Sequence, residues 1–437
     1  MAVLVVLLAN LVATGAASAL VVRGPHGHAY GILPRPGSAA SRRAGAAVND
    51  PVRYRGGPVM LSSRLHLIFW GPAGSFPAHY ENPIIQWAKG LGADTGKTTN
   101  EFSVGSLFYM TVPHPQRHRL HVSTTVTFGG AVNDTRPFPA NGCMNPDTPH
   151  RVCLSGSQLE TEVARAIRVE HWPTDRPMRP RDQYLLFTPE GVDSCADPTE
   201  TECTFFSKIQ FCAYHSAFAI GSRAVVWSNM PNIPDCLTGQ APAGVLGDYD
   251  TDGTLNSAIH EVVESVTDPD STLPRSYSPA WIDNQGSEVG DRCHYPLPES
   301  AVFGQPLGGD LALGTAFNQV IGGQTYYTQQ MWALATPRRP VQGCAARVGP
   351  SPVFSLPSSQ VAAGQPVSFN GSRSYDLEAK ITQYAWNYGD GSPVDTAHGA
   401  HGVHTYTQPG QYQVSLTVSD ATGPGNASTE VQTVEVH

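Results

Sequence analysis

Charged residues are scarce in this sequence of 437 residues: they make up 14% of it, and the formal net charge is -9. Lysine and arginine form no cluster of the kind that gives a basic surface for nucleic acids. The sequence also lacks a cationic amphipathic helix of the kind that lies on membranes. These absences argue against a nucleic-acid-binding or membrane-surface protein.

Long apolar runs are missing after the N-terminus. The first run, MAVLVVLLANLVATGAASAL, ends in Ala17-Ser18-Ala19, a small-residue pattern typical of signal-peptide cleavage. A membrane-spanning helix is the alternative, because the run approaches the ~20 apolar residues that such a helix needs. We predict a signal peptide at residues 1–19, a secreted protein, and no membrane span in the mature chain.

Cysteine is absent after Cys344, so all eight cysteines precede the C-terminal part. In a secreted chain such cysteines are expected to form disulfides. Among the many arrangements that eight cysteines allow, pairing of nearest neighbours is our prediction. It joins Cys143 to Cys153, Cys195 to Cys203, Cys212 to Cys236, and Cys293 to Cys344.

A complete calcium loop is also missing. GDYDTDGT (residues 247–254) has the D-x-D-x-D-G start of such a loop, with Asp248, Asp250 and Asp252 as oxygen donors. Ile259, however, stands where a bidentate glutamate is expected. The acids therefore either bind calcium with ligands from elsewhere or stabilise the start of the next helix, and we favour the second role.

The helix that follows carries the candidate catalytic residues. We expect its first N–H groups to be capped by Asp252 or Thr254. It should end by Asp268, because Pro269 excludes the α conformation from the residue before it. Apolar residues recur at helical spacing and predict one buried stripe: Ile259, Val262, Val263 and Val266.

His260, Glu261 and Glu264 give this helix the pattern of H-E-x-x-H zinc enzymes, with Glu264 in place of the second histidine. Residues four apart lie on one face and can offer a nitrogen and an oxygen to zinc. We predict His260 and Glu264 as zinc ligands and Glu261 as the general base. The alternative is an ordinary amphipathic helix whose histidine and glutamates form its solvated face.

A third zinc ligand must come from outside the helix. We prefer Asp291, because a disulfide at Cys293 would anchor its backbone and lower the entropy lost on organising a site. Three other residues are alternatives: Asp270, His215 and Glu288.

The rest of this part of the chain predicts a mixed α/β core. Strands are expected at residues 64–70, 184–188 and 224–227, and helices around residues 84–91 and 158–169. Ser157 is the expected cap of the second helix, with Glu160 closing the capping box.

Four blocks in this order resemble a bacterial branch of the Exordium, or phosphate-induced, family: GGPVMLSSRLHLIFWGP, FCAYHSAF, HEVVESVTDPD and EVGDRC. The resemblance covers residues 58–344. It implies an extracellular protein with a metallopeptidase-like core, in which His260 and Glu261 match the family motif and Glu264, Asp291 and His215 are further members of it. Plant members are better known as growth-related wall proteins, so the resemblance also allows a binding protein without catalysis.

The C-terminal part resembles a PKD domain, an immunoglobulin-like β-sandwich. The signature is Trp386-x-Tyr388-Gly389-Asp390-Gly391. Asp390-Gly391 supplies a tight turn, and one half-buried strand is predicted from the alternation of Tyr412, Val414, Leu416 and Val418.

We therefore predict an α+β, disulfide-stapled, metallopeptidase-like domain followed by an all-β immunoglobulin-like sandwich. The expected boundaries are a signal peptide at 1–19, a linker or pro-segment at 20–55, the metallopeptidase-like domain at 56–345, a Pro/Ser linker at 346–351 and the PKD domain at 352–437. Within this linker or pro-segment, Arg42-Arg43 is a candidate processing site or an exposed basic pair, and we favour the second interpretation.

The predicted function is that of a secreted zinc-dependent hydrolase, preferably a peptidase, acting on an extracellular protein or polymer. The PKD domain would contact a cell wall or polysaccharide. The alternative is a non-catalytic, Exordium-like cell-surface protein in which the same helix is structural or only holds an ion.

Overall fold

The structure is a computed structural model, and it describes residues 21–23, 29–34, 50–112, 118–140, 142–143, 152–177, 179–196, 202–205, 209–233, 236, 249–269, 279–294, 302–356, 361–421 and 426–437. The predicted signal peptide lies outside these residues. None of the helices in the described ranges combines the length and the apolar character needed to span a bilayer.

A ten-stranded mixed sheet is the centre of the N-terminal part. With strands numbered in chain order, it contains β1 Val21–Arg23, β2 Ala29–Pro34, β4 Ser63–Trp70, β7 Val126–Asp134, β8 Val152–Ser155, β9 Asp182–Thr188, β10 Val192–Cys195, β11 Glu202–Cys203, β12 Ile209–Ile220 and β13 Arg223–Pro231.

The order of these strands places one antiparallel strand beside four parallel ones. β7, β4, β9 and β13 are parallel neighbours in that order, and β12 pairs antiparallel with β13. On its other side β12 pairs with β11 and with β2. The N-terminal strands thus extend the sheet next to β12.

Helices cover both faces of the sheet: α1 Glu81–Ala93, α2 Gly156–Val169 and α3 Tyr249–Thr267. Side chains alternate along the strands, so that Leu67 and Leu185 share a core with α1 and α3. Ile68 and Leu186 share a second core with α2. Since the sheet is buried on both sides, its central strands are almost continuously apolar.

The predicted cap of α2 is wrong by two residues. The helix begins at Gly156, and Ser155 with Gln158 forms the capping box that was expected from Ser157 and Glu160. The backbone N–H of Ser155 donates to Oε1 of Gln158 at 3.0 Å. The sequence SGSQ contains two serines suited to capping, and local pattern does not choose between them.

Helix α3 ends at Thr267, which confirms the stop predicted from Pro269. It begins at Tyr249, however, so Asp252 and Thr254 lie inside the helix and do not cap it. Asp250 and Asp252 belong to its first turn, where carboxylates stabilise the positive end of the helix. Asp248 lies outside the described residues, and calcium binding stays a prediction.

Short elements surround this core. Paired strands are β3 Arg53–Tyr54 with β14 Trp281–Ile282, β5 Tyr109–Val112 with β6 His118–His121, β15 Gln319–Ile321 with β16 Gln324–Tyr326, and β17 Met331–Ala333 with β18 Gly343–Ala345. Among the described residues, 3₁₀ helices span Glu101–Leu107 and Asp291–Cys293.

All four predicted disulfides are present. The bond between Cys293 and Cys344 closes a separation of 51 residues and joins the second 3₁₀ helix to β18. In the chain-entropy model a loop of this length contributes about 4 kcal/mol. The segment that carries Asp291 is therefore fixed at its C-terminal end.

The C-terminal part is a β-sandwich. One sheet pairs β19 Pro366–Asn370 with β21 His401–Thr405, and the other contains β20 Ile381–Asn387, β22 Gly410–Asp420 and β23 Ala427–Val436. Trp386 is fully buried between them, and its indole N–H donates to the carbonyl of Gly399 at 2.9 Å.

The predicted linker at residues 346–351 is buried and does not behave as an exposed spacer. Val348 is 0% exposed and lies in the same core as α3, together with Leu377 of the sandwich. The backbone N–H of Val431 donates to the carbonyl of Leu307 at 2.7 Å. The Pro/Ser composition predicts an exposed linker. It gives no sign that the domains on both sides of the segment pack against it and bury it.

Glu101 lies in this junction and is fully buried. Its carboxylate accepts a hydrogen bond from the hydroxyl of Thr328 and is near the buried guanidinium of Arg347. The effect of burial outweighs both the hydrogen bond and the nearby positive charge, and it raises the pKa of Glu101 from 4.5 to about 8.

This raised pKa makes stability depend on pH. The folded chain keeps a proton on Glu101 that the unfolded chain loses above pH 4.5. The free energy of unfolding should therefore fall as pH rises through the window from 4.5 to about 8, by up to about 1.4 kcal/mol per pH unit. Urea titrations of the wild type and of Glu101→Gln test this, because the difference between them isolates Glu101. A difference that stays constant across the window would contradict it.

Candidate metal centre

The predicted zinc helix faces the interior. Helix α3 packs against β12 and β13, and His260, Glu261 and Glu264 are all 0% exposed. The alternative in which these residues form a solvated face is therefore wrong. Burying three ionisable side chains on one helix costs free energy unless they meet partners of opposite charge or an ion.

His260, Glu264 and Asp291 meet at one point. Nε2 of His260 lies 3.1 Å from Oε2 of Glu264 and 3.8 Å from Oδ1 of Asp291. These ligand atoms all lie within 4.8 Å of one another. Each of the three atoms is buried and has no hydrogen-bond partner outside this group. The structure thus brings together the two predicted helix ligands and the preferred third.

The second oxygen of each carboxylate fixes its orientation. Oε1 of Glu264 accepts the backbone N–H groups of Gly290 and Asp291 at 2.9 and 3.0 Å. Oδ2 of Asp291 accepts the N–H of Glu288 at 3.0 Å. Since one oxygen of each acid is held by backbone, the other is directed to the common point.

Gly290 is a further residue of the site and is not among the predicted ones. A Cβ at this position would lie 2.5 Å from Nδ1 of His260, so only glycine allows the backbone to approach the imidazole. Its carbonyl accepts the side-chain amide of Gln329 at 3.0 Å. The available signal was the glycine in EVGD, directly before Asp291.

His215, an alternative ligand in the sequence analysis, is held in a different role. Its Nδ1 lies 3.0 Å from Oε2 of Glu261, and its Nε2 lies 3.1 Å from the carbonyl of Asp268. Both ring nitrogens are therefore engaged, and the contact with the carbonyl requires a proton on Nε2. His215 orients Glu261 beside the cluster of His260, Glu264 and Asp291.

Glu288 joins a second group of potential ligands. Its Oε1 lies 3.6 Å from Nε2 of His215, and these two residues together with Glu264 could also hold an ion. Because both nitrogens of His215 already have partners, this group fits a metal less well than the first. Asp270, the remaining alternative, lies outside the described residues.

The electrostatics of the cluster follow from burial and mutual charge. Burial opposes the charged imidazole of His260, but Glu264, Glu261 and Asp291 outweigh it and raise its pKa to about 10. Burial and the charge of Glu264 raise the pKa of Asp291 and of Glu288 well above their usual values. Burial also opposes the charge of Glu264, but His260 lowers the pKa of this carboxyl below its usual value. Protons and a divalent cation would therefore compete for the same side chains.

Comparison with known proteins concerns the C-terminal part. Residues 348–436 match the family model of the PKD domain. This part of the chain is a PKD domain. The match begins four residues before the predicted boundary at 352, within the buried junction. It does not extend to the sheet or to α3, so the Exordium resemblance of that region stays a prediction.

Two curated collagenases are similar to this chain. Collagenase ColA of Clostridium perfringens is 35% identical over 78 residues, which are 18% of this chain and 7% of that protein. The microbial collagenase of Vibrio alginolyticus is 35% identical over 66 residues, 15% of this chain and 8% of that protein. The matched segment is thus less than a tenth of each collagenase.

One solved structure is similar to part of this chain. The PKD1 domain of the Vibrio cholerae metalloprotease PrtV is 30% identical, and the match covers 20% of this chain and 98% of that one, with a TM-score of 0.17.

The third ligand can be tested by substitution. Asp291→Ala removes one of three converging ligand atoms and frees the loop at Glu288, so we expect zinc retention to be abolished. Asp270→Ala should weaken zinc binding by less than about tenfold. Zinc content after dialysis against a mild chelator measures both. Loss of zinc from Asp270→Ala together with its retention in Asp291→Ala would assign the third ligand to Asp270.

Proposed function

We propose that this protein is a secreted zinc-dependent hydrolase that cleaves peptide bonds. The observation that carries the proposal is the convergence of three buried ligand atoms that have no hydrogen-bond partner outside their own group: Nε2 of His260, Oε2 of Glu264 and Oδ1 of Asp291. Buried polar atoms are almost always satisfied in native proteins, so this set is best explained by a ligand that is a cation.

The donor set suits zinc. One neutral imidazole and two carboxylates balance the charge of a divalent ion, and three protein ligands leave the open position that catalytic zinc sites keep. The imidazole favours zinc over calcium or magnesium, which take oxygen ligands. When bound, zinc supplies Lewis-acid chemistry and lowers the pKa of water to about 7.

Glu261 is placed to transfer the proton. Its Oε2 is held by Nδ1 of His215, and its Oε1 is buried without a hydrogen-bond partner. Oε1 can therefore accept a proton from a water molecule beside the cluster and return it to the leaving amine. The carbonyl of Asp268 fixes the imidazole of His215 from the other side, so that the orientation of Glu261 does not depend on a mobile partner.

The PKD domain supports an extracellular role. The relatives that share it are named as collagenases and a metalloprotease, and four disulfides fit an oxidising compartment. We infer that the substrate is an extracellular protein or polymer, and that the PKD domain contacts it or a cell-wall polysaccharide.

One observation favours a second candidate function. The side chains of His215, His260, Glu261, Glu264 and Asp291 are at most 2% exposed, whereas a catalytic centre must admit substrate. In a non-catalytic, Exordium-like extracellular protein, an ion at this position would only connect α3 to the segment of Asp291. Zinc content does not separate the two candidates, but hydrolysis does.

Glu261→Gln separates them. The substitution keeps the size of the side chain and removes its basicity, so hydrolysis of casein or a peptide substrate should fall by about 10²–10⁴ while zinc stays bound. Glu190→Gln is the matched control, because Glu190 is exposed and lies after β9. Wild-type protein that holds stoichiometric zinc and hydrolyses no peptide would support the non-catalytic function.

A further inference from the structure

Strand β2 (Ala29–Pro34) lies between β1 and β12, the strand that carries His215. It pairs antiparallel with β12, with Gly31 opposite His215, Ile32 opposite Tyr214 and Leu33 opposite Ala213. It also contacts α3. The N-terminal segment thus runs directly beside the strand that positions Glu261.

Among the described side chains of β2, Leu33 adds to the backbone pairing. Leu33 is 1% exposed and lies in the same core as the apolar stripe of α3. On its other side β12 pairs with β13. Without β2, the backbone groups of β12 from Ala213 to His215 would form an open edge, and an open edge accepts an extended peptide as an added strand.

We propose that Ala29–Pro34 is an autoinhibitory strand that holds the place of an extended polypeptide substrate. The proposal rests on the proposed hydrolase function and deepens it. A peptide that adds to β12 at the position of Gly31 would pass beside His215, and therefore beside Glu261. While β2 holds this edge, an extended substrate cannot bind there.

Release requires a cut between β2 and the body of the domain. Both β1 and β2 follow the predicted signal-peptide site, so signal cleavage would leave them in the secreted chain. The next residues, 35–49, contain Arg42-Arg43, which lie outside the described residues. A protease specific for basic pairs would hydrolyse the bond after Arg43 with one water molecule.

A cut at that point changes the binding of β2 from intramolecular to intermolecular. A short tether holds a segment at an effective concentration in the millimolar range. After cleavage only non-covalent contacts, among them its short ladder with β12 and the burial of Leu33, retain the strand, so at micromolar protein it dissociates unless its affinity is high. Cleavage would thus expose the edge of β12 without any change in the metal ligands.

The test uses the full-length protein with a site-specific protease sequence inserted between Arg43 and Ala44. Hydrolysis of casein should rise at least tenfold after the cut and passage through a sizing column. A synthetic peptide of residues 20–43 should then inhibit the cut protein, and the same peptide carrying Leu33→Asp should not. Full-length Leu33→Asp should show raised activity without any cut.

Binding of the fluorescent peptide of residues 20–43, measured by anisotropy, separates the strand from the hydrolase function. Peptide binding to a cut protein that hydrolyses nothing would support strand release and overturn the proposed function. Equal hydrolysis before and after the cut would overturn autoinhibition. Loss of the folded state on cutting, seen by circular dichroism, would also overturn it, because β2 would then be a structural strand.

Discussion

The carboxylate of Glu264 is the contact on which the candidate site depends. One of its oxygens accepts two backbone N–H groups from the Gly290–Asp291 segment, and the other lies beside the imidazole of His260. It therefore joins α3 to a segment far away in the chain, and the disulfide at Cys293 fixes that segment in turn. A buried carboxylate with such partners is stable as an anion, because charge-assisted hydrogen bonds offset the cost of desolvation.

Burial distinguishes this group of side chains from an ordinary polar surface. An exposed set of histidine and acids would be an ordinary polar surface, whereas here every member is withdrawn from water and several atoms have no hydrogen-bond partner. The free energy lost by desolvating these groups must be recovered, and a cation recovers more of it than protons alone. The same burial limits access of substrate, which catalysis requires and the holding of an ion does not.

Part of this structure was predictable because local chemistry decides it. Pro269 ends α3 whatever surrounds it, and cysteines close in the chain pair with their neighbours. Other features depend on contacts between distant segments. The N–H groups that orient Glu264 come from Gly290 and Asp291, and no local pattern assigns them. The buried junction at residues 346–351 is likewise not predicted. Proline and serine are typical of exposed linkers, and the burial comes from the two domains that pack against this segment.

Strand β12 lies between the N-terminal strand β2 and the candidate site. On one side β12 pairs with β13 of the core, and on the other it pairs with β11 and with β2. β2 comes from a segment whose composition predicts only a linker or pro-segment. Between them, His215 reaches across to Glu261. Any change in what pairs with β12 therefore acts on the backbone that carries His215. Since the proposed metal ligands lie on α3 and the Asp291 segment, a change of the strand that pairs with β12 would leave those residues in place.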